Sequence, residues 1–349
     1  MVLTGPMKDV TDTATILQLR DMFDLVSTEL GQIISGLRIL SEKYKSTPMA
    51  ARSNLQQAVP ISFGFKMARL LSTFERHQLR LKEILSRLLV VEFGGAAGTL
   101  ATISNHLGLK CQAELASLLG LNVPEIAWHT ERDRIAEVGG FFTLVTATCS
   151  KFAFDVKLMM QTEVGEVSEP YVAHRGSSST MPQKRNPISC AYITAMSATV
   201  RQLSSALYEA MVEDHERSTG PWEIEWITLP QISTLTHATL KQTADLINGL
   251  EVHPSAMQKN LDLSKGTIVS EAVMMGLGPT LGRQYAHDLI YDLCQRCAKE
   301  NRPLLELLLE DKKIKESQLS EEELARLCDP NNYLGLSIEM VDRVLKGSH

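Results

Sequence analysis

The sequence has no surplus of basic residues: across 349 positions, 35 Lys and Arg stand against 41 Asp and Glu, a net charge of −6. Phosphate backbones are bound by basic faces, so nucleic acid is not expected as a partner. No apolar run reaches the length that spans a bilayer. The opening Met-Val-Leu-Thr-Gly-Pro lacks the basic and apolar regions of a signal peptide. A cytoplasmic protein with no membrane partner is therefore expected. Six cysteines are scattered at 111, 149, 190, 294, 297 and 328. Only Cys294-x-x-Cys297 is closely spaced, and no further His or Cys pair completes a zinc pattern. Both are read as reduced residues on one helix face beside Tyr291, Leu293 and Ala298. No metal and no cofactor are expected. Low-complexity tracts, short repeats and long stretches of alternating polarity are also missing, which excludes a large sheet.

What is present is long helix. From Leu19 the apolar residues Phe23, Val26, Leu30, Ile33, Leu37 and Leu40 follow at alternating spacings of four and three, a seam for shallow helix packing. The run stops at Thr47-Pro48, because a residue before proline leaves the helical region. A helix from Val10 to Lys45 would span roughly 50 Å at 1.5 Å per residue. A second seam reads Met67, Leu70, Phe74, His77, Leu81, Ile84 and Leu88, with His77 as a core or interface histidine. Further helices are expected over Phe141–Gln161, Ala191–Met211 and Leu229–Leu250. His253-Pro254 is a break, after which the helices are shorter. Ser320 and Glu323 form a capping box before Leu324. The expected fold is an all-α long-helix bundle over residues 1–253 with a smaller helical domain over 254–349. Helices this long are hard to cover within one chain, so one face is expected to be a subunit interface.

Three polar segments lie between the seams. Residues 176–187 read Gly-Ser-Ser-Ser-Thr-Met-Pro-Gln-Lys-Arg-Asn-Pro, with almost nothing apolar to bury. Such a loop suits closure over an anion, with backbone N–H groups and cations on the carboxylates and a serine beside them. The second segment is Arg52–Pro60, and the third is Gly94-Gly95-Ala96-Ala97-Gly98-Thr99. The glycine run lacks the pattern of a nucleotide loop and follows a helix instead of a strand. Together the segments suit proton removal alpha to a carboxylate. That step builds a dianion and needs a base within reach and positive charge where the new charge develops.

Ser178-Ser179-Thr180-Met181-Pro182-x-Lys184-x-Asn186 resembles the signature of the fumarase/aspartase superfamily, and the other two segments match its further regions in order. Leu88–Leu100, Trp128–Arg134, Met160–Glu163, His215–Ser218, Glu225-Trp226 and Asn260–Leu263 resemble the 3-carboxy-cis,cis-muconate cycloisomerase branch. The resemblance implies Ser178 as catalytic base, acting as an alkoxide that Lys184 and loop N–H groups stabilise. Lys184 and Asn186 would hold one substrate carboxylate, and Arg217 and Ser218 a second. Gln56, Thr99, Ser179, His129 and Asn54 would line the substrate site. It further implies a cofactor-independent reaction on a small di- or tricarboxylate, in aromatic catabolism, by a homotetramer whose sites are shared between chains.

Asn54 stands where many relatives in the superfamily carry a proton-shuttling histidine, and Ala191 where several carry the glutamate that orients it. A lactonisation can do without both, because the substrate's own carboxylate is the nucleophile. Pro6-Met7-Lys8-Asp9 keeps the aspartate of the family's Thr-Ser-x-Asp segment, and the small helical domain that normally precedes it is not in this sequence. Three other activities stay open: elimination of the adenylosuccinate or argininosuccinate type, decarboxylation of a tricarboxylate, and a non-catalytic oligomeric scaffold.

Overall fold

The structure, a computed structural model, describes residues 7–103, 107–171, 180–181, 183–317 and 319–347. The chain opens with α1 (Met7–Lys43), the hairpin β1 (Pro48–Ser53) and β2 (Gln56–Ser62), and α2 (Phe63–Leu88). There follow α3 (Leu107–Leu119), α4 (Asp133–Met159), β3 (Val167–Ser168), α5 (Ile188–Glu209), α6 (Pro221–Asn248) and β4 (Glu251–Val252). The remainder is α7 (Pro254–Asp262), α8 (Ser270–Leu281), α9 (Arg283–Glu300), α10 (Leu304–Glu310), α11 (Lys312–Lys315), α12 (Glu321–Leu327) and α13 (Ser337–Lys346). Among the described residues the protein is all-α apart from two small antiparallel pairs, β1 with β2 and β3 with β4.

Both seams are buried along their full length, from Leu19 to Leu40 in α1 and from Met67 to Leu88 in α2. The chain therefore covers its own seams. The large apolar side chains left exposed lie elsewhere, among them Leu144 and Phe154 on α4, Tyr192 and Tyr208 on α5, and Trp226 and Ile227 on α6.

Two compact units result. The first comprises Met1–Ser35, Thr73–Asp155 and Tyr171–Gly249. Its core includes Phe23 stacked on Phe141 and Phe142, with ring centroids 5.7 and 5.5 Å away. α4 approaches α5 closely because residue 139 is glycine; a Cβ there would lie 2.7 Å from Leu207 Cδ1. α6 begins eight residues before the expected Leu229. Its start is set by Pro221 at the first helical position and by Glu223, whose carboxylate accepts the Gly220 N–H at 2.6 Å. Pro230 then lies inside the helix, where buried Trp222, Glu225 and Leu229 hold the turns around it.

The second unit comprises Gly36–Ser72, Val156–Pro170 and Leu250–His349. Its C-terminal helices share an apolar cluster that includes Val273, Leu277, Ile290, Leu293, Leu304 and Leu324. Cys297 and Cys294 belong to the same cluster as free thiols, and burial raises both above the ordinary thiol range. The Ser320–Glu323 capping box starts α12 as the sequence predicts. In the same unit, Arg52 on β1 makes a bidentate pair with fully buried Glu166, at 2.7 and 2.8 Å.

Candidate active site

In the first unit the chain leaves α2 through Val90 and Val91 and turns at Gly94–Thr99. Gly95 and Gly98 have φ of +79° and +83°, which side chains with a Cβ rarely adopt. The turn closes where Leu100 N–H donates to Gly94 O at 2.9 Å, and Thr99 is exposed on it.

Beneath the turn sits Asp9, from the first turn of α1. Its Oδ2 accepts from Gly95 N at 2.9 Å and from Gly94 N at 3.3 Å, and its Oδ1 lies 2.7 Å from His129 Nε2. A carboxylate only accepts, which puts the ring hydrogen on Nε2. His129 is 3 % exposed, so the ring faces Asp9 and not solvent.

Glu92, fully buried, accepts the Trp128 N–H on Oε2 at 2.7 Å. Its Oε1 has no hydrogen-bond partner among the described residues and lies 3.5 Å from His129 Nε2. Burial pushes the Glu92 carboxyl up to about 7; His129 and the Trp128 N–H oppose the shift, and Asp9 and Asp12 add to it. Asp9, Glu92 and His129 are, among the described residues, the one grouping that brings three metal-type ligand atoms within 4.8 Å of one another. The short Asp9–His129 hydrogen bond already joins two of those atoms.

Deeper in the same unit lies Arg132, 2 % exposed. It donates to both oxygens of Glu225, at 2.9 and 2.5 Å, and to both oxygens of Asp12, each at 3.0 Å. Burial opposes its charge, but the bonds to Glu225 and Asp12 outweigh this and hold the guanidinium more firmly protonated than usual. Lys8 Nζ donates to Glu213 Oε2 and to His129 O, each at 2.6 Å, and lies 4.7 Å from the Trp222 ring centroid. Asp12, Glu213 and Glu225 thus share two fixed cations, while Asp9 and Glu92 converge on His129. Burial raises Glu213 and Glu225 as well, against the pull of Lys8 and Arg132 respectively.

The residues named from the sequence distribute as follows. Arg217 donates from Nε to Ala96 O at 2.6 Å and from Nη2 to Gly95 O at 2.8 Å, so it clamps the carbonyl side of the turn that carries Thr99. Ser218 is buried and donates to Asp214 at 2.5 Å. Arg217, Thr99 and His129 therefore gather around one turn. Lys184 is exposed, its N–H bonded to Met181 O at 3.0 Å, and Asn186 is half-buried. Asn54 and Gln56 are exposed at the tip of the β1–β2 hairpin in the second unit. Ser178 and Ser179 lie outside the described residues.

Lys8, Asp12, Glu92, Arg132, Glu213 and Glu225 were not named as site residues by sequence reasoning. The available signal was charge inside stretches flanked by tryptophan or valine, as in Val90-Val91-Glu92, Trp128–Arg132 and Trp222–Trp226.

Comparison with known proteins agrees with this architecture. A family model described as Lyase matches residues 6–201, and one described as Adenylosuccinate lyase C-terminus matches residues 266–344. Trans-aconitate decarboxylase 1 of Mycosarcoma maydis is 57% identical over 338 residues, which cover 97% of this chain and 68% of that protein. The 3-carboxy-cis,cis-muconate cycloisomerase of Pseudomonas aeruginosa is 43% identical over 347 residues, covering 99% of this chain and 75% of that one. The crystal structure of the 3-carboxy-cis,cis-muconate lactonizing enzyme from Pseudomonas putida superposes with a TM-score of 0.93 at 41% identity, covering 99% of this chain and 76% of that one. The chain belongs to the fumarase/aspartase superfamily of lyases and stands close to its 3-carboxy-cis,cis-muconate cycloisomerases.

Proposed function

We propose that this chain is a cofactor-independent cycloisomerase or lyase acting on a small unsaturated tricarboxylate, and that its reaction is the lactonisation of 3-carboxy-cis,cis-muconate. The observation that carries this reading is the match to cycloisomerases over 99% of the chain, together with the presence of Ser178, Lys184 and Asn186 in the signature segment. In the reaction a substrate carboxylate oxygen adds to the double bond, and the displaced electron pair moves onto a second carboxylate as an aci-carboxylate. A proton then reaches the neighbouring carbon. Ser178, the base of the reverse deprotonation, is in this direction the hydroxyl that gives up that proton and becomes the alkoxide, with Lys184 and Asn186 on one carboxylate. Thr99 and Gln56 supply hydrogen-bond donors, Arg217 and Ser218 serve a second carboxylate, and Ser179 and Asn54 line the site. His129, bonded to Asp9 beneath the turn that carries Thr99, is the remaining candidate for a substrate contact.

A second reading has a specific observation in its favour: identity is higher to the trans-aconitate decarboxylase than to the cycloisomerase, 57% against 43%. In that reaction a carbon–carbon bond breaks, carbon dioxide leaves, and the electron pair passes through the double bond to a remaining carboxylate before a proton is taken up. Both substrates are unsaturated tricarboxylates, and both reactions ask for the same stabilised dianion.

The exposed apolar side chains of α4, α5 and α6 support assembly into a homotetramer with shared sites. Among the described residues no helix is long and apolar enough to cross a membrane, and the net charge of −6 disfavours nucleic acid; we place the protein in the cytoplasm.

The test is to incubate the purified chain with carboxymuconate, following loss of diene absorbance, and with trans-aconitate, following carbon dioxide release. Ser178→Ala serves as control in both. Turnover of carboxymuconate that is lost in the variant supports the first reading, and of trans-aconitate the second. Turnover of neither acid removes the enzymatic assignment, and turnover that persists in Ser178→Ala removes the assigned base.

A further inference from the structure

Three links close a ring around the first turn of α1. Asp9 holds the N–H side of the Gly94–Thr99 turn, through Gly94 and Gly95. Arg217 holds the carbonyl side of the same turn, through Gly95 and Ala96, and belongs to the segment 211–219. Glu213, from that segment, returns to α1 through Lys8 at 2.6 Å. The side chains of Lys8 and Glu213 are 2 % and 0 % exposed.

A lysine is a poor choice here on local grounds. It stands in the first turn of a helix, where the backbone dipole disfavours a cation. Desolvating the pair costs several kcal/mol per ion, and apolar residues of the same volume generally stabilise as well or better. What an ion pair adds over an apolar contact is direction: it fixes where the 211–219 segment sits relative to α1. Local rules broken at one point mark positions that serve something other than stability. The ring also reaches the histidine, since Lys8 bonds His129 O while Asp9 bonds His129 Nε2.

We propose that Lys8 and Asp9 are positioning residues that lock the Gly94–Thr99 turn and the 211–219 segment into one body, so that Thr99 and the Arg217–Ser218 pair meet the substrate at a fixed separation. The part concerning substrate rests on the function proposed above; the locking itself does not. Neither residue touches substrate. Asp9 acts through two backbone N–H groups, and Lys8 acts through Glu213. The consequence is coupling at a distance: cutting the Lys8–Glu213 link loosens the glycine turn, with which neither residue is in contact.

The decisive variant is Lys8→Met with Glu213→Leu, which removes both charges and keeps the volume. Amide exchange is followed at Gly95 and Leu100 and across 211–219, beside kcat and KM. The expected result is exchange about tenfold faster at Gly95 and Leu100, with cooperative unfolding retained. KM rises about tenfold and more than kcat falls, as loss of binding alignment predicts. Asp9→Asn accelerates exchange in 211–219 likewise, and combining it with the double variant adds less than the product of the two effects. If the double variant does not fold, Glu213→Gln, which keeps the shape and weakens the link, gives the same readout. Unchanged exchange at Gly95 and Leu100, or effects that simply multiply, overturns the proposal. A parent protein that turns over neither tricarboxylate overturns the functional reading instead, while the exchange comparison still decides whether the ring locks the two segments.

Discussion

Arg52 Nη1 and Nη2 lie 2.8 and 2.7 Å from the two oxygens of Glu166, an ion pair beside the tip of the β1–β2 hairpin. Asn260 Nδ2 donates to the same carboxylate at 2.8 Å, and Gln57 Nε2 donates to Asn260 O at 2.8 Å. The pair thus anchors the strand ends that lead to Asn54 and Gln56. Glu166→Leu would strand a guanidinium and an amide in the interior. Breaking a buried pair from one side costs about 3–5 kcal/mol, and Arg52, 24 % exposed, can recover some hydration, so about 3 kcal/mol is expected. Urea unfolding measures it. A loss under about 0.5 kcal/mol, the scale of an ordinary surface substitution, would show that the pair does not anchor the hairpin.

Arg132 is the single guanidinium bonded to both Asp12 and Glu225. Arg132→Met leaves two buried carboxylates without their cation, a loss of about 3–5 kcal/mol at pH 8. Burial already raises the Glu225 carboxyl, and without that cation it binds a proton more readily in the folded state than in the unfolded chain. Folded-state proton uptake favours the fold as pH falls, so the deficit relative to the parent shrinks between pH 8 and pH 5. A deficit of equal size at both pH values would mean that the carboxyls do not carry it.

Glu92 and His77 pull the pH dependence of stability in opposite directions. Glu92 is raised by burial from 4.5 to about 7, so between these values the folded state holds a proton that the unfolded chain has lost. Its contribution is full below pH 4.5 and is lost as pH rises to 7, by up to about 1.4 kcal/mol per unit. His77 is lowered by burial, and secondarily by Arg80 and Arg76, from 6.5 to about 4. Its contribution is present above pH 6.5 and is lost as pH falls toward 4. Relative to the parent, Glu92→Gln should therefore gain stability from pH 4.5 to 7, whereas His77→Leu should gain from pH 6.5 down to 4. Urea midpoints across this range test both signs, and either variant moving the other way refutes its assignment.

The long helices could be read from the sequence because each seam residue, such as Phe23 or Phe74, needs only its own helix to declare a buried face. The β1–β2 hairpin could not, since its tip is Asn54-Leu55 and the usual signal there is Asn-Gly. The early start of α6 was hidden by Pro230, which normally argues against a helix interior. The charge cluster was invisible for a different reason. Lys8, Glu92, Arg132 and Glu213 each read locally as ordinary surface charges, and only long-range packing brings them together. Asp9 is intermediate: the family resemblance retained it, but its bonds to Gly94 and Gly95 needed coordinates.

Gly94 lies where a side chain has no room. A Cβ there would be 2.8 Å from His129 Cε1 and 2.8 Å from Ala127 Cβ. Gly94→Ala must push the imidazole away from Asp9 or lift the turn off the Gly94 and Gly95 N–H bonds. A destabilisation of about 1–3 kcal/mol is expected, the range for overpacking. The test is thermal unfolding together with the His129 ring resonances. Parent-like shifts for His129 would show that the turn yields without disturbing the histidine.

Leu55 holds φ at +64° with its side chain 72 % exposed, directly after Asn54 at φ +51°. Two consecutive left-handed residues between paired Ser53 and Gln56 make the hairpin turn that asparagine and glycine favour. A residue with a branched apolar side chain pays about 1–2 kcal/mol for that conformation. Glycine would relieve the strain but lose much of the gain to the greater freedom of the unfolded chain. Asparagine avoids that loss, so Leu55→Asn is expected to stabilise the protein by about 0.5–1 kcal/mol in urea unfolding. If the variant is instead less stable, the left-handed strain at Leu55 is not what limits the hairpin tip.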